Sequence, residues 1–508
     1  MNYAKHLVMI LTALAFVSCA GRSDNDLNGN VSNTTGWKYN DKKSTAFEVQ
    51  HEFTTTTPPG MVPIEGGTFT IGEKGEFITA PRNNQQRDVS VNSFYMDKYE
   101  VTNLNWREYE HWMHIVFDGT APNLAKKVRP DVTVWREELA YNEPYVENYY
   151  EHPAFNNYPV VGVTWLQAMD YCRWRTDRVN EMALIANGLI EAPDFSQLDP
   201  EYGMEYDSIA HGFVFNTQKY LLDKTYEPIP GKKTKDDLFG NPRRVEMSDG
   251  IFLCSSYRLP TEAEWEFAAY APLAGEEGLT IEGKIYPWSG YGSRSINKKI
   301  AGQLQANFVR GKGDYMGVSK MLNDHHVITA PVNSYLPNDY GLYNMAGNVN
   351  EWVLDVFRET SFQDMVEYNS FRGNMYLEPK ITEYDDEGNP TYGIDSVGCI
   401  LMEIKDKKDD VRDYIDGDSM SLIDTDFPLH PDSATLAALD PDRMIDPTDV
   451  LAPKVTVDTR VYKGGSWKDR IYWLNPSTRR YLDQDKCSST IGFRCAMSTV
   501  GSETFYDE

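Results

Sequence analysis

The segment 338–352 reads N-D-Y-G-L-Y-N-M-A-G-N-V-N-E-W, and it constrains the fold of this chain more than any other segment. Its residues neither alternate as in a strand nor recur at helical spacing. Two glycines, Gly341 and Gly347, and several asparagines are typical of a sharply turning loop. In such a loop, side-chain amides, freed backbone carbonyls and the carboxylate of Glu351 point at one spot. Converging oxygens indicate a site for a hard cation.

The N-terminus has the pattern of an export signal. Lys5 precedes an apolar run over residues 7–17, which is too short to span a bilayer and ends in small residues. Cys19 follows Ser18 directly and resembles the lipobox of bacterial lipoproteins, so residues 1–18 are interpreted as a signal peptide and Cys19 as an acylated residue. A plain signal peptide with an incidental cysteine is the alternative. A lipid at Cys19 would anchor the protein to a membrane without crossing it.

Composition separates a tether from one large domain. Residues 19–57 are rich in Asn, Asp, Ser and Thr and are predicted to be a tether. We expect a single domain over residues 58–500 and a short tail over 501–508. The aromatic fraction of 13% indicates a packed core. The net charge of -27 excludes nucleic acid as an expected partner, because such binding depends on Lys and Arg, and it suits a basic partner or divalent cations.

Threonine N-caps predict three helices, which begin after Thr102, Thr164 and Thr261. Strands are predicted over 61–72, where a Gly-Gly turn separates two of them, over 89–95, and just before Thr164. The acidic residues at the start of the third helix, Glu262, Glu264 and Glu266, are interpreted as partners of the helix dipole.

Two stretches interrupt this regular pattern. Residues at about 190–250 show weak periodicity, and residues 359–456 are acidic and rich in proline. Both are predicted to be insertions, and long insertions in a compact domain commonly form partner surfaces.

The cysteines leave their pairing open. Without Cys19, five remain, so at least one thiol stays free or pairs between chains. Cys487 and Cys495 could form a disulfide in an exported protein, or both could be buried as small apolar residues. Cys172 lies on the predicted helix after Thr164 and is expected in the core.

Seven ordered blocks resemble the formylglycine-generating-enzyme (sulfatase-modifying factor) domain. They are E-G-G-T-F, F-Y-M-D-K-Y-E-V-T-N, Y-P-V-V-G-V-T-W, R-L-P-T-E-A-E-W-E, Y-G-L-Y-N-M-A-G-N-V-N-E-W, G-G-S-W and G-F-R-C-A. The resemblance covers residues 61–497. It implies an α+β, C-type-lectin-like fold, rich in irregular structure, with two large insertions. It does not by itself imply activity.

The same resemblance implies two structural calcium sites. The first would use the Asn307 side chain, the Phe308 carbonyl, the Asp324 carboxylate and the His326 carbonyl. The second would use Asn344, the Gly347 and Val349 carbonyls, and Glu351. Each set offers one carboxylate, one amide and two backbone oxygens, which suits calcium.

The resemblance does not extend to the oxidative chemistry of the family. That chemistry needs two copper-binding cysteines between the G-G-S-W and G-F-R-C blocks, and here the interval holds only Cys487. Soft Cu(I) requires thiolates, so we expect no copper and no catalytic residues. The chain is interpreted as a pseudoenzyme that retains the scaffold.

A second resemblance is to the gliding-motility lipoproteins of Bacteroidota, nearest to their J branch and next to their K branch. It is carried by the lipobox, N-E-P-Y-V-E-N-Y-Y-E-H-P-A-F-N-N-Y-P-V-V-G-V-T-W, C-R-W-R-T-D-R-V-N-E and V-R-G-K-G-D-Y-M-G. It implies an outer-membrane lipoprotein on the periplasmic face that serves type IX secretion and gliding. Its implied partners are related lipoproteins and ring components, contacted through the insertions.

Two other functions compete with this interpretation. One is a copper-dependent formylglycine-generating oxidase, against which the missing cysteine counts. The other is a calcium-dependent glycan-binding module, in which the aromatic rings of Trp288 and Tyr291 would stack on a sugar.

Overall fold

A computed structural model of the chain describes residues 31–49, 57–73, 84–117, 122–193, 215–271, 274–279, 284–309, 326–357, 371–404 and 458–501, with short gaps inside some of these ranges. The expected signal peptide, Cys19, Asp324, most of the second insertion and most of the tail lie outside the described residues. Within the described part, none of the helices is both long enough and apolar enough to cross a membrane.

The described elements alternate between short strands and helices. In chain order they are β1 (Met61–Ile64), β2 (Gly67–Ile71), β3 (Arg87–Val91), β4 (Phe94–Asp97), α1 (Asn103–Phe117), α2 (Pro122–Val128), α3 (Glu143–Asn148), α4 (Trp165–Ala186), α5 (Thr217–Leu222), β5 (Lys235–Asp236), β6 (Pro242–Arg243), α6 (Glu262–Tyr270), β7 (Ala274–Gly275), β8 (Gly278–Leu279), β9 (Asn350–Val356), β10 (Leu377–Pro379), β11 (Ile381–Tyr384), β12 (Pro390–Tyr392), β13 (Met402–Ile404), β14 (Thr459–Lys463), β15 (Arg480–Asp483), β16 (Ile491–Gly492) and β17 (Ala496–Ser498).

Two sheets bring distant parts of the chain together. The larger has the order β15-β14-β9-β16, in which β16 runs parallel to β9 and the other pairs are antiparallel. The second has the order β1-β4-β17, with Met61 opposite Asp97 and Ala496 opposite Met96. Helices pack beside these sheets, and this mixture confirms the predicted α+β class.

The predicted strands form with different boundaries and partners. The two strands predicted in 61–72 are present, but β1 pairs with β4 and β2 pairs with β3 instead of with each other. The single strand predicted over 89–95 is wrong: it is divided into β3 and β4. The strand predicted before Thr164 is absent from the described strands, where Pro159 makes an isolated bridge to Thr102. Long-range pairing, which periodicity does not encode, decided each of these differences.

The predicted helix starts are confirmed. The Thr164 hydroxyl accepts from the Gln167 backbone N–H at 3.2 Å, and the Gln167 side chain accepts from the Thr164 backbone N–H at 2.9 Å. Thr261 and Glu264 form the same capping box at the start of α6. Such a box satisfies two N–H groups that lack partners within the helix.

An aromatic core joins α1 to α4. The Trp106 and Tyr171 rings stack at a centroid distance of 5.4 Å, and the ring edge of Phe493 contacts both. The core therefore packs the C-terminal block against two helices that begin more than 300 residues earlier.

The first predicted insertion builds a small core of its own. Buried apolar side chains pack on Leu184, near the C-terminal end of α4: Ile190, Phe215, Tyr220, Tyr226, Val245 and Phe252. The described part of the second insertion forms the two-stranded pairs β10-β13 and β11-β12. The two insertions meet where Asn216 Nδ2 donates to Cys399 Sγ at 3.2 Å.

Candidate functional site

The loop over 338–352 turns sharply, as its composition predicts. Four of its residues have positive φ angles: Gly341 (81°), Asn344 (53°), Gly347 (79°) and Asn348 (65°). Asparagine is among the few residues other than glycine that adopt this conformation routinely. The Asn338 side chain accepts from the backbone N–H groups of Tyr340 and Leu342 and donates to the Ala268 carbonyl. The loop is thereby attached to the end of α6.

Gly347 lies where three separate segments meet. Its N–H donates to the Gly464 carbonyl at 2.9 Å, and the N–H of Asn348 donates to the Asn307 carbonyl at 2.9 Å. A Cβ atom on Gly347 would lie 2.4 Å from the Asn307 carbonyl oxygen. Only glycine fits this position, because the contact is with backbone and the φ angle is positive.

We expect Gly347→Ala to lower the free energy of unfolding by about 2 to 4 kcal/mol, from left-handed strain together with the forced shift of the Asn307 backbone. Chemical denaturation measures this loss. Gly341→Ala is the matched control, because Gly341 has a similar φ of 81° but nothing within 4 Å of its added Cβ. Equal losses in the two variants would contradict the close-packing argument.

Glu351 on β9 forms a buried ion pair. Its Oε1 accepts from Arg494 Nη2 at 2.6 Å, and its Oε2 accepts from Arg494 Nε at 2.7 Å and from Trp265 Nε1 at 2.7 Å. The Glu351 and Arg494 side chains are both fully buried. Burial opposes the charge of Arg494, but the contact with Glu351 outweighs it and raises the pKa of the guanidinium above its ordinary value. Arg494 also donates to the Tyr343 carbonyl at 2.7 Å, so it holds the loop as well as the strand.

This geometry competes with the predicted calcium role of Glu351. Both carboxylate oxygens receive N–H donors, and a divalent cation at this carboxylate would lie beside a guanidinium charge. In this structure the Glu351 carboxylate is used by the ion pair, and its role as a calcium ligand stays a prediction. The side-chain nitrogen of Asn344 donates to Glu100 Oε2 at 2.8 Å and to the Val332 carbonyl at 3.1 Å. The Gly347 and Val349 carbonyls remain predicted ligands.

The first predicted calcium set stays a prediction. The Asn307 side-chain nitrogen donates to the Ile328 carbonyl at 2.8 Å, which connects it to the segment that follows His326. Phe308 is buried beside Asn307. The carboxylate of this set belongs to Asp324, which lies outside the described residues.

Glu100 is a buried carboxyl that the sequence patterns did not single out. Asn348 Nδ2 lies 3.1 Å from each of its oxygens, and Asn344 Nδ2 lies 2.8 Å from Oε2. Burial raises the pKa of Glu100 to about 8, and the nearby Glu351 adds to this rise. The only sequence signal was an acid between the apolar neighbours Tyr99 and Val101. Two asparagines of the loop thus provide the hydrogen-bond donors for the buried carboxyl of Glu100.

A second buried charge cluster lies on α6. Lys463 Nζ donates to Glu262 at 3.1 Å and to Glu266 at 2.7 Å, and Arg479 Nε donates to Glu262 at 2.7 Å. The structural role predicted for Glu262 and Glu266 therefore rests on ion pairs as well as on the helix dipole, which the sequence alone did not reveal. Their side chains are buried against two cations from the C-terminal sheet region.

We expect the stability of the protein to fall as the pH drops from about 4.5 to about 2 because of Glu262. Burial raises the pKa of this carboxyl, but Arg479 and Lys463 lower it more strongly, to about 2. The ordinary value is 4.5, so in this window the unfolded chain binds a proton that the folded chain does not, and stability is lost on acidification. Denaturation midpoints between pH 7 and pH 2.5 measure the slope. Glu262→Gln should reduce it, and an unchanged slope would rule Glu262 out as its source.

Comparison with known proteins identifies the family of this chain. Residues 46–398 match the family described as the Sulfatase-modifying factor enzyme 1-like domain. The chain belongs to this family. The Bos taurus protein named Inactive C-alpha-formylglycine-generating enzyme 2 is 32% identical over 326 residues, which cover 60% of this chain and 73% of that protein.

Two further relatives show the range of the family. The Formylglycine-generating enzyme of Mus musculus is 26% identical over 308 residues, and the match covers 58% of each protein, so this chain spans little more than half of that enzyme. The protein named Chaperone protein LppX from Paenibacillus barcinonensis is 24% identical over 304 residues, covering 59% of this chain and 72% of that protein. Enzymes, a protein named inactive and a protein named a chaperone are thus similar to this chain.

The interval between the G-G-S-W and G-F-R-C blocks contains an ion pair. The family resemblance places two copper-binding cysteines in this interval. Asp469 pairs with Arg480 through two contacts of 2.7 Å and accepts from the Ser466 hydroxyl at 2.6 Å. Arg480 also contacts the Asn350 side chain. Asp469 thus connects Ser466 of the G-G-S-W block to Arg480 on β15. Arg480 in turn contacts Asn350, the residue before Glu351.

The cysteines are arranged differently from the pairing considered from the sequence. Cys495 Sγ lies 3.6 Å from Cys172 Sγ in the core, and Cys487 Sγ lies 3.9 Å from Asp131 Oδ2. Burial, with the adjacent Asp131, raises the pKa of the Cys487 thiol to about 11, so it is a thiol at neutral pH. Cys487 and Cys495 are thus not paired with each other. Cys495 is buried as the apolar alternative predicts, whereas Cys487 is only half-buried, and Cys172 lies in the core as expected.

Proposed function

We propose that this chain is a non-catalytic, lipid-anchored component of the type IX secretion and gliding machinery, at the periplasmic face of the outer membrane. The observation that carries the non-catalytic part is the interval between the G-G-S-W and G-F-R-C blocks. It contains one cysteine, where the chemistry needs two, and the Asp469–Arg480 ion pair. Cu(I) chemistry needs soft thiolate ligands, and a carboxylate paired with arginine offers none.

Some of the relatives support a role without chemistry. Inactive C-alpha-formylglycine-generating enzyme 2 from Mus musculus and from Bos taurus and Chaperone protein LppX are all similar to this chain. The first name describes a protein without catalytic activity, and the second describes a protein that assists another protein. The buried ion pairs at Glu351 and Lys463 support a rigid scaffold of this kind, since they join segments that lie far apart in the sequence.

The lipobox at Cys19 and the tether support the membrane-bound part of the proposal. A single lipidated cysteine holds a protein at a membrane surface, and a polar tether of about 40 residues lets the domain reach neighbouring proteins. Structural calcium at the first predicted set, Asn307 with Phe308, Asp324 and His326, remains part of the proposal.

The two insertions support a partner surface. They contact each other through Asn216 with Cys399 and through Gln218 with Met402 at 3.2 Å, so they form one continuous region. The second insertion exposes large apolar side chains that contribute little to the fold: Leu377, Ile381, Tyr384 and Ile394. Exposed apolar groups close together are typical of protein-binding surfaces. We propose that other machinery proteins, including related lipoproteins and ring components, bind there.

The test is recovery of the intact lipoprotein from detergent-solubilised outer membrane, followed by identification of the proteins that accompany it. Secretion-machine subunits should accompany the wild type. The double variant Tyr384→Ser and Ile394→Ser should lose most of them. The matched control is Leu139→Ser with Val327→Ser, two exposed apolar residues outside both insertions. Recovery of the wild type without such subunits would contradict the secretion role, and equal recovery with both double variants would contradict the insertion surface.

The copper oxidase alternative has a separate test. Purified protein incubated with Cu(I), oxygen and a cysteine-containing peptide should show no aldehyde product and no tight copper binding. Turnover of the peptide would overturn the non-catalytic proposal.

A further inference from the structure

A polar cavity with one aromatic wall lies against the loop 338–352. Its volume is about 370 Å³, within the range of about 300 to 1,000 Å³ that small-ligand sites occupy. Asn344, Met345 and Ala346 of this loop line the cavity, and so does Trp288. The cavity is separate from the Asp469–Arg480 interval and from both insertions, so the proposed function assigns it no role.

Trp288 is held in one orientation. Its ring stacks on Tyr286 at a centroid distance of 5.0 Å and an angle of 15°, and its Nε1 donates to the Gly292 carbonyl at 2.8 Å. Tyr286 covers one face of the indole, while the side chain as a whole is only half-buried and lines the cavity. A fixed, partly exposed aromatic face binds flat apolar groups at little entropic cost.

Uncharged polar side chains and one ion pair surround this aromatic face. Gln305 donates to the same Gly292 carbonyl at 3.1 Å, and the Asn297 oxygen accepts from the Lys299 backbone N–H at 3.1 Å, so both amides are fixed by their own loop. Asp339 pairs with Lys284 at 2.8 Å, and its carboxylate is 46% exposed. Amides and carboxylates together donate to and accept from neighbouring hydroxyl groups.

We propose that this cavity binds a neutral carbohydrate. A pyranose ring presents a face of C–H groups, which suits the exposed face of Trp288, and a rim of hydroxyls, which suits Asn297, Gln305 and Asp339. An anionic saccharide is disfavoured by the net charge of -27. Tyr291, which the sequence paired with Trp288 as a sugar platform, is exposed but is not among the residues that line the cavity.

The proposed sugar binding uses protein side chains alone and needs no metal ion. The wall groups are an indole, amides, hydroxyls and the Asp339 carboxylate, which Lys284 already neutralises. The proposed binding therefore differs from calcium-dependent glycan binding, in which the sugar hydroxyls coordinate the ion.

Affinity electrophoresis of the full-length protein in gels that contain soluble starch, xylan, laminarin or glucomannan tests the proposal. At least one of these neutral polysaccharides should retard the protein, and polygalacturonate should not. Oligosaccharides of the retarding polymer then give the affinity by calorimetry. We expect Trp288→Ala to weaken it about tenfold or more, from loss of stacking. Asp339→Asn, a change at an exposed side chain that is safe for folding, should weaken it as well.

Tyr291→Ala is the matched control and should retain wild-type affinity, since Tyr291 is an exposed aromatic in the same loop. EDTA should leave binding unchanged. The proposal is overturned if no neutral polysaccharide retards the protein, if polygalacturonate alone does so, if the Trp288 and Tyr291 variants bind alike, or if EDTA abolishes binding. None of these outcomes bears on the secretion role.

Discussion

We expect Glu351→Gln to lower the free energy of unfolding by about 3 to 5 kcal/mol, because it leaves the guanidinium of Arg494 buried without a counter-charge. The Glu351 oxygens lie 2.6 and 2.7 Å from Arg494 nitrogens, and both side chains are fully buried. Breaking such a buried pair lowers the free energy of unfolding strongly. The Trp265 indole N–H would also lose a charged acceptor. Urea or guanidinium unfolding, followed by fluorescence, measures the loss.

Three comparisons make this result decisive. Glu143→Gln breaks an exposed pair with Arg136 and should leave the midpoint unchanged. Adding Arg494→Met to Glu351→Leu should recover part of the loss, since an apolar pair of similar volume removes both charges. Finally, the loss in Glu351→Gln should be the same in calcium and in EDTA. A loss that appears only in calcium would show that Glu351 is a calcium ligand after all and would contradict the ion-pair assignment.

The second large effect is expected at Lys463. Lys463→Met should destabilise the protein by about 3 to 5 kcal/mol at neutral pH, because the buried carboxylate of Glu266 then loses the cation that pairs with it, while Glu262 keeps only its contact with Arg479. Methionine keeps most of the volume, so the loss reports the charge instead of a cavity. Denaturant unfolding at pH 7 measures it.

The matched control for Lys463→Met is Lys486→Met, which removes an exposed lysine that pairs with Asp483 and should change stability little. Adding Glu266→Gln to Lys463→Met should restore part of the stability, since one uncompensated carboxylate is removed. If Glu266→Gln makes the variant worse, Lys463 does not act through Glu266.

Local chemistry explains which parts of this fold were predictable. The capping boxes at Thr164 and Thr261 involve residues three apart, and the left-handed turns at Asn344 and Gly347 follow from the residue types themselves. The boundaries of β3 and β4 were missed because their ends depend on pairing with β2, β1 and β17. Periodicity in one segment carries no information about which other segment lies beside it.

The same distinction between local and long-range interactions applies to the candidate site. The sequence by itself determined that residues 338–352 form a tight, oxygen-rich loop, that the family scaffold is present, and that one thiol lies in the interval where copper chemistry would need two. Only the tertiary structure decided that Glu351 faces Arg494, that Glu100 takes the loop amides, and that Cys495 lies beside Cys172. The physical reason is that caps and turns are made within a few residues, whereas buried charges and thiols acquire their partners only when segments more than 140 residues apart pack together.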